Sequence, residues 1–359
     1  MKKRKRVSLL AAVLVLAMMC ALTGCGGTST PASGAGDPMP ADSTAASYEF
    51  SLAHHHAVDS ITDHLCNNFA DLVAEKTNGA VKITVYPSAQ LGTEQEVADG
   101  LLVGTQQFAM VTAAGTYVDS VDGFGVDALP FMFSSWDQIN YALNETAFGE
   151  AMNEKLIAAG ARILTYVPCG GRELIFVDKE ITSYKQLAGM TLRSPESTLY
   201  TSMFEALGAS PTPITWSECY SAMQTKVADG MDTPISSIKD MNFCEVTKYG
   251  LMTNHMWSVM TIIVNESIYQ SLPEEYQRAL EEAAAEAGAA SYEEAMAAET
   301  DDLEYCKSVG MVFHELPEGE AEELSELMMG MKEKWLAGHE GRQELFDLCM
   351  QAIEEYNAK

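Results

Sequence analysis

Two arginines lie at strand ends, positions from which a side chain can reach a binding cleft. Arg193 closes the short apolar run 190–193, and Arg172 lies in a glycine turn that leads into a second run. A guanidinium is planar and always charged, so it can give two parallel N–H bonds to a carboxylate. Taken alone, an arginine at a strand end is more often part of a surface salt bridge, and Arg172 could form a structural pair with Glu173 or another of the many carboxylates. The pattern favours anion binding, with a structural ion pair as the alternative.

Three consecutive histidines raise the possibility of a metal site, because imidazole is a common zinc ligand. In a strand, however, only His54 and His56 share a face. No nearby cysteine or carboxylate spacing completes a tetrahedral set, and the six cysteines after Cys25 include no C-x-x-C pair. We therefore expect neither a metal nor a cofactor. These cysteines either form disulfides, as an exported chain allows, or remain as buried thiols.

Catalytic signatures do not accompany these residues. The sequence lacks the patterns G-x-S-x-G, G-x-G-x-x-G, H-E-x-x-H and the P-loop. A hydrolase or a nucleotide-dependent enzyme would need one of these arrangements or an equivalent. The sequence therefore predicts a binding protein rather than an enzyme.

The N-terminus has the pattern of an export signal. A basic stretch, 2–6, precedes an apolar run of about 14 residues, fewer than the ~20 that a membrane-spanning helix needs. A cleaved signal is therefore favoured over a permanent transmembrane anchor. The run ends in Leu22-Thr23-Gly24-Cys25, which resembles the lipobox of bacterial lipoproteins, where the cysteine is lipidated and becomes the first mature residue.

The leader is followed by a segment of small and polar residues that cannot bury enough surface to fold. We assign residues 1–24 to a lipoprotein signal peptide and 25–48 to a lipid anchor with a flexible tether. The formal net charge is −29, and loss of the basic leader makes the mature chain still more acidic. Such a chain should bind neither nucleic acid nor anionic lipid, although an acidic surface does not fix the sign of a pocket.

The body of the chain alternates helical and strand periodicity. A helix capped by Asp59 precedes the alternating apolar pattern 81–86, and short strands at 162–167 and 174–177 flank further helical stretches such as 142–159. This alternation is typical of α/β layers with a mainly parallel sheet, and about 310 residues suffice for two domains. The spacing of Ser271 and Glu274 predicts a capping box that opens a long helix, which reaches to about Ala298.

Six segments in order resemble the solute receptors of tripartite ATP-independent periplasmic (TRAP) transporters, the DctP-type family. The resemblance covers roughly residues 50–300. The segments are Glu75-Lys76-Thr77-Asn78-Gly79, Tyr86-Pro87-Ser88-Ala89-Gln90-Leu91-Gly92, Ala128-Leu129-Pro130-Phe131-Met132-Phe133, Leu207-Gly208-Ala209-Ser210-Pro211-Thr212-Pro213, Trp216-Ser217-Glu218-Cys219-Tyr220 and Asp229-Gly230-Met231-Asp232-Thr233-Pro234.

The resemblance implies an α/β protein of the two-domain periplasmic-binding-protein type. Its two domains are hinged, the ligand lies in the cleft between them, and a long helix spans both. We expect domain I at 49–169 plus 259–298, and domain II at 170–258 plus 299–359. The resemblance also implies a partner, the membrane permease subunits of a sodium-driven TRAP transporter.

The resemblance implies binding-site roles for specific residues. Arg193 matches the family arginine that pairs with a ligand carboxylate, and Arg172 aligns with a second arginine that reaches the pocket. Thr233 departs from the family pattern, since Asp232-Thr233 stands where Glu-Asn is usual; a hydroxyl offers fewer hydrogen bonds than an amide. The other expected contacts are Trp216, His55 and Thr112. Trp216 could instead fill the core.

These observations predict an extracytoplasmic receptor for a small organic acid, lipid-anchored to the outer face of the cytoplasmic membrane, whether periplasmic or cell-surface. The ligand is bound through an Arg–carboxylate pair and passed to the permease. Two alternatives remain: a binding protein for an ATP-driven (ABC) importer, and a sensor that presents its ligand to a signalling receptor. Genes for permease subunits beside this one would favour transport over sensing.

We predict that Cys25 carries the lipid anchor. In cells fed a labelled fatty acid, the wild-type protein should incorporate the label, whereas Cys25→Ala should be unlabelled and either soluble or unprocessed. Mass spectrometry of the wild-type N-terminus provides the check. An unmodified Cys25, with cleavage at another position, would contradict the prediction.

Overall fold

A computed structural model describes residues 47–359, and the predicted signal peptide, Cys25 and nearly all of the tether lie outside this range. No helix in the described range is both long enough and apolar enough to cross a membrane. The strands are β1 (Tyr48–Ala53), β2 (Val81–Tyr86), β3 (Phe108–Val111), β4 (Ala161–Phe176), β5 (Thr191–Ser194), β6 (Ser210–Pro213), β7 (Gly230–Pro234), β8 (Tyr249–Met252), β9 (Trp257–Asn265) and β10 (Val312–Glu315). The helices are α1 (Ile61–Lys76), α2 (Glu94–Val103), α3 (Ala113–Thr116), α4 (Trp136–Asn144), α5 (Ala147–Ala159), α6 (Thr198–Ala206), α7 (Cys219–Gln224), α8 (Ile235–Asp240), α9 (Glu266–Ser271), α10 (Glu274–Ser308), α11 (Glu320–Leu336) and α12 (Glu340–Asn357).

The strands form two sheet regions that share β4. The first region has the order β2-β1-β3-β9-β4, and the second continues from β4 through β7 and β5 to β6. β8 also pairs with β4, and β10 pairs with β8. The pairs around β1, β5 and β10 are parallel, whereas every pair that involves β4 or β9 is antiparallel. The sheet is therefore mixed rather than mainly parallel.

β4 is one strand of 16 residues where the sequence predicted two short ones. Its register against β9 shifts between Pro168 and Gly171, and Gly170 has a φ of 112°. A side chain at Gly171 would place its Cβ 1.9 Å from Asn254 Oδ1, so any other residue there would displace the Asn254 side chain. The two glycines let the chain leave one sheet region and enter the other without ending the strand.

Two helix starts differ from the predicted ones. Ser60, not Asp59, is the N-cap of α1: its hydroxyl accepts from Asp63 N at 3.2 Å, while Asp59 has a φ of 63° outside the helix. The capping box predicted at Ser271 is also wrong, because α10 follows Pro273 with no side-chain cap. Proline suits the start of a helix, because it has no backbone N–H to leave unpaired and its φ is already close to the helical value.

α10 is longer than predicted, since it continues past Ala298 to Ser308. Its 35 residues give a length of about 52 Å. Gly288 faces β4, because a Cβ on it would lie 2.6 Å from Thr165 Oγ1. The helix packs on α1, on β4 and on α8, and so contacts elements beside both sheet regions.

The predicted helix 142–159 is two helices, α4 and α5, because the chain breaks at Glu145 and Thr146. Thr146 Oγ1 accepts from Phe148 N at 3.2 Å and caps α5. At the C-terminus, α11 packs on α6, and α12 packs on α4 and α5. The segment 299–359 therefore contacts helices from the segments assigned to both domains.

All six cysteines in the described range are free, so the disulfide alternative is not realised. Burial raises the pKa of each of these thiols, to about 12 for Cys169 and Cys306. A thiol with a raised pKa carries almost no thiolate at neutral pH.

The turn between α4 and α5 generates a stability prediction. A Cβ on Gly149 would lie 1.8 Å from the Leu143 carbonyl oxygen, so Gly149→Ala should destabilise the protein by about 1–3 kcal/mol. Gly330→Ala is the matched control, since this helical glycine has no atom within 4 Å of the added Cβ and should gain up to about 1 kcal/mol of helix propensity. Urea denaturation measures both. Equal effects of the two substitutions would contradict the proposed clash.

Candidate ligand-binding site

A cavity of about 400 Å³ is lined by residues from both sheet regions. Most of its walls are segments that follow the carboxyl ends of β1, β3, β5 and β7, the usual location of ligand sites in α/β sheets. The lining residues are His55, His56, Glu94, Thr112, Gly115, Arg172, Arg193, Pro195, Tyr200, Trp216, Pro234, Ser237, Ser258 and Met260.

Five of the six residues predicted to contact ligand line this cavity, and Thr233 does not. The register of β4 and β7 pairs Thr233 with Glu173, while Arg172 pairs with Pro234. Because side chains alternate between the faces of a strand, Thr233 points to the face opposite Arg172. Its hydroxyl is buried and has no hydrogen-bond partner among residues 47–359.

Arg172 is held by a buried ion pair. Its Nε donates to Asp232 Oδ2 at 2.5 Å, and its Nη2 donates to the Asp232 carbonyl oxygen at 2.8 Å. Burial alone would raise the pKa of the Asp232 carboxyl, but Arg172 and His255 hold it well below its usual range. The structural alternative for Arg172 is therefore realised, with Asp232 rather than Glu173 as the partner. Arg172 still lines the cavity, but its charge is already balanced.

Arg193 has no such partner. The side chain is buried, and the residue is only 3% exposed, so it is not a surface salt bridge. Its Nε donates to the Ile214 carbonyl oxygen at 2.9 Å, and its guanidinium carbon lies 5.7 Å from the centroid of the Trp216 ring. None of the carboxylates in the described part of the chain forms an ion pair with it. The positive charge of Arg193 thus faces the cavity without a directly paired carboxylate, and Glu94 is the carboxylate that lines the same cavity.

Three buried polar atoms on the cavity wall also lack partners among the residues described. They are His55 Nδ1, His56 Nε2 and Trp216 Nε1. Burial lowers the pKa of His55 to about 3 and that of His56 well below its usual value, so both rings are neutral at neutral pH. Neutral rings and an indole N–H can exchange hydrogen bonds with a polar ligand. Trp216 also packs on Phe243, so it belongs to both the cavity and the core.

His54 lies in different surroundings from His55 and His56. His54 Nε2 lies 3.0 Å from Asp63 Oδ1, outside the cavity lining, while His55 and His56 line the cavity. In the described part of the chain, no three His, Cys, Asp or Glu side chains are grouped as metal ligands. Metal-independent binding stays a prediction.

Glu94 is the main functional candidate that the sequence reasoning missed. It is the first residue of α2, after the N-cap Thr93, and burial raises the pKa of its carboxyl. One of its oxygens accepts from Thr112 N at 2.6 Å, and the other lies 3.6 Å from His55 Nε2. The capping box formed by Thr93 and Glu96 is visible in the sequence and marks the start of this helix. His56, Tyr200 and Ser258 were missed as well, and no local motif marks them.

The fold and the cavity together define a two-domain α/β solute-binding protein. The model of the family described as "Bacterial extracellular solute-binding protein, family 7" (DctP) matches residues 52–337. The chain belongs to this family. The fold class and the family predicted from the sequence are thus confirmed.

Two relatives and two solved structures show the extent of the similarity. The C4-dicarboxylate-binding periplasmic protein DctP of Rhodobacter capsulatus is 30% identical over 74% of this chain and 79% of its own length. The sialic acid-binding periplasmic protein SiaP of Vibrio cholerae is 28% identical over 71% of this chain and 79% of its own. A TRAP periplasmic solute-binding protein of Desulfovibrio salexigens with bound orotic acid has a TM-score of 0.80 at 27% identity, covering 86% of this chain and 99% of the other. The sugar acid binding protein of Advenella mimigardefordensis in complex with galactonate has a TM-score of 0.81 at 24% identity, with the same coverage.

The Arg172–Asp232 pair generates a prediction about stability and pH. Asp232→Asn leaves a buried arginine without its counter-ion and should cost about 3–5 kcal/mol in unfolding free energy at pH 7. Because the folded-state pKa of Asp232 is depressed, its contribution is complete above the ordinary carboxyl pKa near ~4 and is lost as the pH falls towards the folded value. The difference between wild type and Asp232→Asn, measured by urea denaturation, should therefore shrink below about pH 4.

Asp178→Asn is the control for this measurement. Asp178 pairs with Lys226 at an exposed site, where solvent screens the pair and its contribution to stability is small. Should both variants lose the same stability at pH 7, the buried pair would not have the structural role assigned to it.

Proposed function

We propose that this chain is the extracytoplasmic receptor of a TRAP transporter and binds a small organic acid through a pair between Arg193 and the ligand carboxylate. The observation that carries the proposal is the burial of Arg193 in the cavity without a carboxylate partner among residues 47–359. A buried charge without a counter-ion is costly, and a ligand carboxylate supplies that counter-ion. Arginine also offers the planar two-point geometry that a carboxylate matches.

The ligands named for the relatives support this choice of chemistry. A C4-dicarboxylate, sialic acid, orotic acid and galactonate are all organic acids, and they are bound by proteins of the same family or the same fold. In this chain, His55 and Trp216 lie beside Arg193 and supply polar atoms for the rest of such a ligand. Thr112 also lines the cavity, and its backbone N–H donates to Glu94.

The proposal extends to anchoring and delivery. Cys25 would hold the receptor at the outer face of the cytoplasmic membrane, and the bound acid would pass to a sodium-coupled permease. The family consists of binding proteins, and we propose that this member has no catalytic activity and needs no cofactor. Ligand binding would close domain I (49–169 plus 259–298) on domain II (170–258 plus 299–359), with β4 and β9 as crossing strands.

We expect Arg193 to carry the charge recognition, so that lysine cannot replace it. A panel of mono- and dicarboxylates, keto acids, sugar acids and aromatic acids is first screened by thermal melting; a ligand at 100 times its Kd adds about 2.7 kcal/mol to stability. Calorimetric titration with the best acid then compares wild type, Arg193→Lys and Arg193→Ala. Both variants should lose about 2–5 kcal/mol of binding free energy, which is about 30-fold or more in Kd.

Arg162→Lys is the matched control. Arg162 pairs with Glu266 outside the cavity, so its conversion to lysine should leave the affinity unchanged. Circular dichroism verifies that each variant is folded. Folded Arg193 variants that bind within about threefold of wild type, a range that a surface ion pair would explain, would refute the proposed mechanism.

A further inference from the structure

Two contacts join the segment that follows β3 to the start of α6, beside the ligand cavity. Both oxygens of the Asp119 carboxylate accept from Thr198: one accepts from the backbone N–H at 3.0 Å, and the other accepts from the hydroxyl group. The Ser197 hydroxyl donates to the Ala114 carbonyl oxygen at 3.3 Å. The two acceptor residues lie in the proposed domain I and the two donor residues lie in the proposed domain II, so we call these the cross-cleft contacts.

α6 has no side-chain cap of its own. Ser197 is its N-cap residue, but the Ser197 hydroxyl makes no cap hydrogen bond and donates to Ala114 instead. The first N–H groups of a helix need acceptors from outside the helix, and a carboxylate at this end also interacts favourably with the helix dipole. Asp119 meets both requirements at Thr198 N. A helix of one proposed domain is therefore capped by a carboxylate of the other.

The cross-cleft contacts are linked to the cavity through short stretches of chain. Gly115 lines the cavity a few residues before Asp119, and Pro195 lines it a few residues before Thr198. α6 also contributes Tyr200 to the cavity lining. Because the cavity walls and the contacts belong to the same two segments, a movement that separates the walls also separates Asp119 from α6.

We propose that Asp119 sets the affinity for the bound acid without touching the acid, because its carboxylate caps α6 across the cleft and stabilises the closed arrangement of the two domains. The inference rests on the proposed function, since it takes acid binding and domain closure as given. Asp119 is absent from the cavity lining, so it acts through the equilibrium between open and closed domains. The apparent affinity falls in proportion when the closed arrangement is less populated.

Asp119→Ala provides the decisive variant. Loss of the cap should raise the Kd about fivefold, the usual effect of removing a helix N-cap. The probe is the acid that stabilises the wild-type protein most in the panel described above, with succinate, galactonate and orotate among its members. Stopped-flow measurement of tryptophan fluorescence, to which Trp216 in the cavity wall contributes, should place the change in the dissociation rate, because the contacts form only as the domains close.

Asp119→Asn tests whether the carboxylate acts as a cap. Asparagine keeps a side-chain oxygen for Thr198 N and is as good an N-terminal acceptor as aspartate, so this variant should bind within about twofold of wild type. Ser197→Ala removes the other cross-cleft contact without removing a cap, because the Ser197 hydroxyl makes no cap bond. It should raise the Kd about threefold.

Ser135→Ala is the matched control. Ser135 caps α4 by accepting from Gln138 N at 3.2 Å, and both residues lie within the proposed domain I and outside the cavity lining. Loss of this cap should lower the stability measured by urea denaturation, whereas the Kd should stay within about twofold of wild type. Circular dichroism verifies that every variant is folded.

The outcomes separate this inference from the proposed function. The role of Asp119 is overturned by equal changes in Kd for Asp119→Ala and Ser135→Ala, or by an Asp119→Ala variant that binds within about twofold of wild type. An Asp119→Asn variant as weak as Asp119→Ala also overturns it. In each case acid binding through Arg193 still stands. If no acid in the panel stabilises the wild-type protein, or if Arg193→Lys binds as well as wild type, the proposed function fails and this inference fails with it.

Discussion

The buried ion pair between Arg172 and Asp232 is the interaction on which the site depends. It joins β4 to β7 at the point where β4 has just passed from one sheet region to the other. Because the pair neutralises Arg172 inside the protein, Arg193 is the arginine of the cavity lining that has no ion pair among residues 47–359. The same pair fixes the face of β7 that carries Asp232, and it thereby directs Thr233 to the opposite face. One structural salt bridge thus determines both the charge of the cavity and the side chains that can reach it.

The remaining polar groups of the cavity fall into two sets, one from each sheet region. Arg193 and Trp216 come from elements beside the second sheet region, while His55, Thr112 and Glu94 come from segments that follow or precede strands of the first. The groups on each wall are held by contacts of their own, such as Ile214 O for Arg193 and Thr112 N for Glu94.

Much of the fold could be predicted from the sequence, because strand alternation and helix periodicity are local signals and the family segments fix their order. The features that the sequence did not predict are those that depend on contacts between distant parts of the chain. The strand β4 is continuous because Gly170 and Gly171 permit a bend that periodicity alone does not reveal. The side of β7 on which Thr233 lies depends on register against β4, and a motif match does not contain that register. Glu94 was missed because the cavity wall it forms exists only once α2 is packed beside β3.

The six free cysteines, four of them buried and two half-buried, have a consequence for their oxidation. The folded state has no disulfide within residues 47–359, and burial raises the pKa of each thiol, which disfavours the reactive thiolate. Protection therefore exists only after folding, and the unfolded chain exposes six ordinary thiols that can cross-link in many ways. Cys66, Cys306 and Cys349 are fully buried, so an oxidant can reach them only when the core around them opens.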